Sequence, residues 1–195
     1  MRSRFLALLS SVALLAGCAT STVRNPVTGL KERTVMNEAS ELATGKKAHQ
    51  QVLSEYGVYP NAKLQAYVNE LGQRLASQSE RSQLEWHFTV LDSPEINAFA
   101  LPGGYVYVTR GIMAYMESEA DLAGVIGHEI GHVTARHGSQ RATRQQTAGV
   151  GVAAVTLLGA VLEGAGYGGV GQLASQVAQS VAAGDIASYG REQER

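Results

Sequence analysis

From residue 38 onward, apolar and polar positions follow two different periods. Residues 38–56 and 61–77 show the three- and four-residue spacing of amphipathic helices. In the second, Leu64, Tyr67, Val68, Leu71 and Leu75 share one face, and Asn61 stands where an N-cap is needed. Residues 86–91 alternate with period two and are rich in β-formers, which predicts a strand. Residues 97–100 predict a second short strand, Pro102-Gly103-Gly104 a turn, and residues 105–109 a third strand. Helical spacing resumes near Ile112.

Residues 118–137 carry the best-marked helix. Ser118 and Asp121 form an acidic variant of the capping box, and Leu122, Val125, Ile126, Ile130 and Val133 supply the apolar stripe. Gly138 is the expected C-terminal stop. Residues 147–162 are an uncharged run of 16. A membrane span needs ~20 apolar residues, so this run predicts a buried or active-site-covering helix, with a span as the alternative. Residues 164–171 read as a flexible break and 172–189 as a further helix. Residues 19–37 are polar, carry Asn25-Pro26 and Thr28-Gly29 as turn signals, and read as a tether. No internal repeat is visible.

The amino terminus follows another pattern. Arg2 and Arg4 precede an apolar stretch over residues 5–16, then comes Leu15-Ala16-Gly17-Cys18. A basic start followed by a ~12-residue apolar run reads as a secretory signal. Its end resembles the bacterial lipobox, which would make Cys18 the lipidated first residue of the mature chain and its link to a membrane. The organisation expected is a signal peptide over 1–17, a lipid-anchored tether over 18–37 and one domain over 38–195. Ala19 rather than Asp follows the cysteine. By resemblance to bacterial sorting rules, this favours the periplasmic side of the outer membrane.

Composition narrows the function. The 195 residues suit one domain with a real core, and 45% hydrophobic against 17% charged residues exclude wholesale disorder. With 16 basic and 17 acidic side chains there is no electrostatic reason to expect a nucleic-acid partner. A single cysteine excludes a disulfide framework and a Cys-rich metal site.

The chemistry lies in His128-Glu129-Ile130-Gly131-His132, an HExxH in mid-helix. Positions four apart share one helix face, so both imidazoles can reach one ion, and zinc favours nitrogen donors. Glu129 is rotated about 100° from His128, near enough to act on a water without binding the metal. Zinc would bring that water's pKa toward neutrality, and the carboxylate would take its proton and pass it to the leaving amine. Gly127 and Gly131 beside the histidines suggest close backbone approach by a neighbouring element. His137 lies five residues past His132, an offset that turns it from the metal face, and reads as a helix-dipole partner or an outer-sphere group. His49 and His87 have no motif around them and read as ordinary surface or core residues.

This HExxH followed by Ala135-Arg136-His137 resembles the HtpX, Oma-type and prenyl-protease family of zinc metallopeptidases. The lipobox points to its periplasmic lipoprotein branch, with BepA-like and LoiP-like members. The resemblance covers about residues 40–195. It implies an α+β, mostly helical gluzincin-like fold, with a small antiparallel sheet and the active-site helix behind its edge strand. One Zn2+ per chain is implied as cofactor. The segment Asn97-Ala98-Phe99-Ala100 is similar to the family's second signature, and implies the edge on which a polypeptide substrate pairs. The family's third ligand is a glutamate in a helix reading Ser-Arg-x-x-Glu-x-x-Ala-Asp. Gly190-Arg191-Glu192-Gln193-Glu194-Arg195 puts Glu194 on that position, with Glu192 the alternative. The sequence stops before the Ala-Asp pair, so the domain reads as carboxy-terminally incomplete. The implied function is a zinc endopeptidase for unfolded or misassembled envelope proteins, in protein quality control. The alternative is a metal-loaded but inactive, lipid-anchored chaperone-like or binding module, because the chain is truncated and residues 147–184 could cover the cleft.

Overall fold

The structure, a computed structural model, describes residues 20–164 and 170–194. The expected signal segment, Cys18 and most of the expected break at 164–171 lie outside the described residues. The chain divides into two compact units. Among the described residues, one comprises Val23–Glu32 and Met36–Ser139; the other comprises residues 20–22, Arg33–Val35, 140–164 and 170–194.

The segment expected as a tether contains two strands, β1 (Ser21–Arg24) and β2 (Lys31–Thr34), which pair as a small sheet. Asn25 organises the turn between them, since its Oδ1 accepts from the backbone N–H of Val27 and of Thr28 at 2.9 and 3.1 Å. Such Asx turns let a short polar segment reverse direction. The Asn25 amide also donates to the Ala135 carbonyl at 3.0 Å, fastening the turn to a distant part of its unit.

Helices α1 (Glu38–Tyr56) and α2 (Ala62–Ala76) follow the predicted spans, and Asn61 accepts from the Leu64 N–H as the expected cap. Strands β3 (His87–Leu91), β4 (Ala98–Leu101) and β5 (Tyr105–Thr109) make a sheet in the order β3-β5-β4. The α+β, mostly helical architecture is the expected one, but this sheet is mixed rather than antiparallel. β4 and β5 form the antiparallel hairpin, whereas β3 runs parallel to β5 with His87 opposite Tyr105. Alternation does the sorting. Phe88, Val90, Val106 and Val108 point into a core with Val68 and Leu71 of α2. On the other face, Tyr105 and Tyr107 meet His49 of α1. Gly72 of α2 is where the Phe88 ring sits, so any side chain there would collide with it.

After a single turn, α3 (Arg110–Met113), comes α4 (Glu119–Thr134). Its capping box is reciprocal: Ser118 Oγ accepts from the Asp121 N–H at 3.2 Å, and Asp121 Oδ2 accepts from the Ser118 N–H at 3.0 Å. Hydrogen bonds from the Glu117 and Ser118 groups hold the Asp121 carboxyl below the usual carboxylate range. Leu122, Ile126, Ile130 and Val133 complete the core. The helix does not reach Gly138. It ends at Thr134, and Arg136 takes a left-handed conformation with φ 61°, so the following helix α5 (His137–Gly164) already contains Gly138.

In the second unit the remainder of α5 lies beside α6 (Val170–Gln193). The Arg144 guanidinium sits 3.6 Å from the centre of the Tyr189 ring and pairs with Asp185 at 3.1 Å. Thr143 Oγ1 accepts from the Val35 N–H at 3.1 Å. The run 147–162 is not buried as expected, since Val150, Leu157 and Leu158 are exposed. Among the described residues, no helix is long and apolar enough to cross a membrane.

Candidate metal centre

One helical turn separates His128 from His132 in α4, and their Nε2 atoms lie 2.9 Å apart. The rings meet edge to face, with centroids 4.5 Å apart, which brings the two Nε2 atoms side by side. Potential donor atoms of His128, Glu129 and His132 all lie within 4.8 Å of one another. Among the described residues, this is the group of histidine, cysteine and acidic side chains close enough to hold a metal. His128 is exposed and His132 half-buried, whereas Glu129 is only 7% exposed. Two imidazole nitrogens beside a carboxylate, open on the solvent side, fit a borderline cation such as zinc with a free coordination position.

Glu194, the expected third ligand, belongs to the second unit. It is exposed and directly follows the last residue of α6. Of the side chain of Glu192, the alternative, the structure describes nothing. His49 and His87 lie outside the metal-compatible group found among the described residues. Both rings stack on Tyr105, with centroid separations of 4.7 and 4.6 Å. His49 Nδ1 also lies 2.7 Å from the Tyr107 hydroxyl, whose ionisation burial pushes well above its ordinary range.

Two expectations about the neighbourhood change. A Cβ on Gly127 or Gly131 would meet no atom within 4 Å among the described residues, so these glycines do not mark a close backbone approach. The five-residue offset predicts a His137 ring turned from the site. Instead its Nδ1 lies 2.6 Å from Nδ1 of His132. The difference arises because α4 stops three residues before His137, and the left-handed Arg136 redirects the chain. His137 is therefore the first residue of α5 rather than a dipole partner at the end of α4, and of the two expected roles only that of an outer-sphere group is compatible with its place.

Of the segment Asn97, Ala98, Phe99 and Ala100, Asn97 directly precedes β4 and the other three begin it; β4 is the sheet edge, against which α4 packs. The Thr109 N–H donates to the Asn97 carbonyl at 3.1 Å, so Asn97 and Thr109 are a hydrogen-bonded pair. Antiparallel pairs alternate, which turns the N–H and C=O of Phe99 inward to Tyr107 and those of Ala98 and Ala100 outward. Phe99 stacks on Tyr107 at 4.9 Å, which fixes this register.

Residues 62–195 match peptidase family M48. Over 137 residues the chain is 32% identical to the beta-barrel assembly-enhancing protease of Escherichia coli (strain K12), covering 70% of this chain and 28% of that protein. Over 107 residues it is 36% identical to the mitochondrial metalloendopeptidase OMA1 of Schizosaccharomyces pombe, covering 52% of this chain and 31% of that protein. The chain thus spans less than a third of the length of these relatives. With an HExxH whose two imidazole Nε2 atoms lie 2.9 Å apart and a match that spans the fold from α2 to the last residue, this chain belongs to peptidase family M48.

Proposed function

We propose that this chain is a zinc endopeptidase acting on unfolded or misassembled proteins of the bacterial envelope. The observation that carries the reading is the 2.9 Å convergence of the His128 and His132 Nε2 atoms beside the buried Glu129. His128, His132 and Glu194 would hold one Zn2+, which supplies Lewis-acid polarisation of a peptide carbonyl and acidification of water. Glu129 accepts the proton of the attacking water and returns it to the leaving amine. An extended polypeptide adds to the free edge of β4, pairing with the outward backbone groups of Ala98 and Ala100. Such main-chain recognition suits unfolded chains of many sequences. Lipidation of Cys18 anchors the protein at the periplasmic face of the outer membrane. A relative named for enhancing β-barrel assembly supports a place in envelope quality control.

The test is cleavage of an unfolded substrate such as casein by the zinc-loaded chain, with and without chelator. Glu129→Gln should abolish cleavage while one equivalent of zinc remains bound. Undiminished cleavage by this variant would overturn the assigned mechanism.

A further inference from the structure

We infer that His137 is a positioning residue for the metal centre, aimed at His132 by a buried ion pair between Glu41 and Arg136; this rests on the metallopeptidase reading above. An imidazole that gives Nε2 to a metal carries its proton on Nδ1, and a fixed acceptor at that proton sets both tautomer and ring orientation. His137 Nδ1, at 2.6 Å, is such an acceptor. His132 Nδ1–H therefore donates to His137, whose own proton resides on its Nε2.

The placement of His137 depends on the chain reversal at Arg136. A left-handed backbone is uncommon for a residue with a side chain, and such conformations persist where the surroundings hold them. Arg136 is 6% exposed, and its Nη2 lies 2.9 Å from Glu41 Oε2 and 3.0 Å from the Met36 carbonyl. Glu41, itself 1% exposed, also receives Arg81 Nη1 at 2.7 Å. The same Arg81 nitrogen donates to the Val133 carbonyl at 3.2 Å, while the Asn25 amide takes the Ala135 carbonyl. Residues of α1, of the loop before β3 and of the β1–β2 turn thus grip the last turn of α4. The outcome is one ring set against another, on the far side of the ligand from its metal-facing nitrogen.

The experiment measures Zn2+ affinity of the full chain by competition with a chromogenic chelator, for wild type, His137→Ala and His137→Asn. The asparagine amide oxygen can accept where Nδ1 does. His137→Ala should bind zinc about 10–100-fold more weakly, the usual effect of losing a partner behind a ligand, and His137→Asn should recover most of that loss. Nitrogen-15 spectra of the zinc-loaded wild type should show His132 protonated at Nδ1 and bound through Nε2, a readout independent of whether a variant folds. Wild-type affinity in His137→Ala, no recovery in His137→Asn, or a His132 without a proton on Nδ1 would each overturn the inference while the proposed function stands. A wild type that holds no zinc would overturn both.

Discussion

Glu41 Oε2 and Arg136 Nη2 lie 2.9 Å apart in the interior, joining α1 to the turn that ends the HExxH helix. Neither side chain has water to fall back on, and Glu41 also serves Arg81. Removing one member of a buried ion pair strands its partner, at a cost of roughly 3–5 kcal/mol. Glu41→Ala should therefore lower the urea midpoint by a corresponding amount without altering any residue of the HExxH. A loss comparable to that of an exposed glutamate would show that the ion pair does not hold the turn.

The left-handed φ of Arg136 makes a separate prediction, because it concerns backbone rather than charge. A left-handed residue with a Cβ carries about 1–2 kcal/mol of strain, and glycine carries none. Arg136→Gly and Arg136→Ala delete the same guanidinium. The glycine variant should nevertheless be the more stable of the two by about 1 kcal/mol, read as the difference in chemical denaturation.

Much of this was legible from local pattern. The capping box at Ser118, the cap at Asn61 and strands β3 to β5 depend on neighbours in sequence, so spacing alone predicts them. The four-residue offset of His128 and His132 is likewise a property of any α-helix. What escaped depends on partners far along the chain. Arg136 turns because Glu41, 95 positions earlier, holds it, and Gly138 drew the expected helix end to the wrong place. A helix continued to Gly138 would turn His137 away from the site. The turn signals at Asn25-Pro26 and Thr28-Gly29 are local, but the strands β1 and β2 beside them are polar and only four residues long, so their pattern does not distinguish them from a tether. The parallel pairing of β3 with β5 carries no local mark at all, since it is set by which strand inserts between the other two.

Acid should weaken the packing of α1 on the sheet. Burial, and secondarily the neighbouring His87, holds the His49 pKa below its ordinary value. Tyr105 and Tyr107 face it from the sheet, and Glu85 lies 3.6 Å from His87. The unfolded chain then binds more protons than the folded one. Stability from a neutral His49 is fully present above the unfolded value near 6.5, and is lost as pH falls through it toward the lower folded value. Urea midpoints should fall as the pH drops below about 6.5, and His49→Gln should flatten that slope. An unchanged slope would assign the acid sensitivity elsewhere.

The edge strand offers the sharpest separation of binding from folding. Ala98 directs its N–H away from β5, so proline there removes no bond of the sheet, and prolines are tolerated on sheet edges for this reason. The preceding Asn97 already lies on the approach to an extended strand, which suits the restriction that proline places on its predecessor. Ala98→Pro should therefore leave thermal stability and zinc affinity near wild type. If a polypeptide pairs with this edge, the variant loses one main-chain hydrogen bond of about 1–1.5 kcal/mol, and KM should rise roughly tenfold. Phe99→Pro is the control with the opposite geometry. Its N–H faces Tyr107, and its ring is part of the stack that fixes the register, so proline there should lower the melting temperature whether or not substrate binds the edge. Equal effects of the two prolines on stability would contradict the register of β4. A silent Ala98→Pro, with KM unchanged, would move the substrate to another surface of the domain.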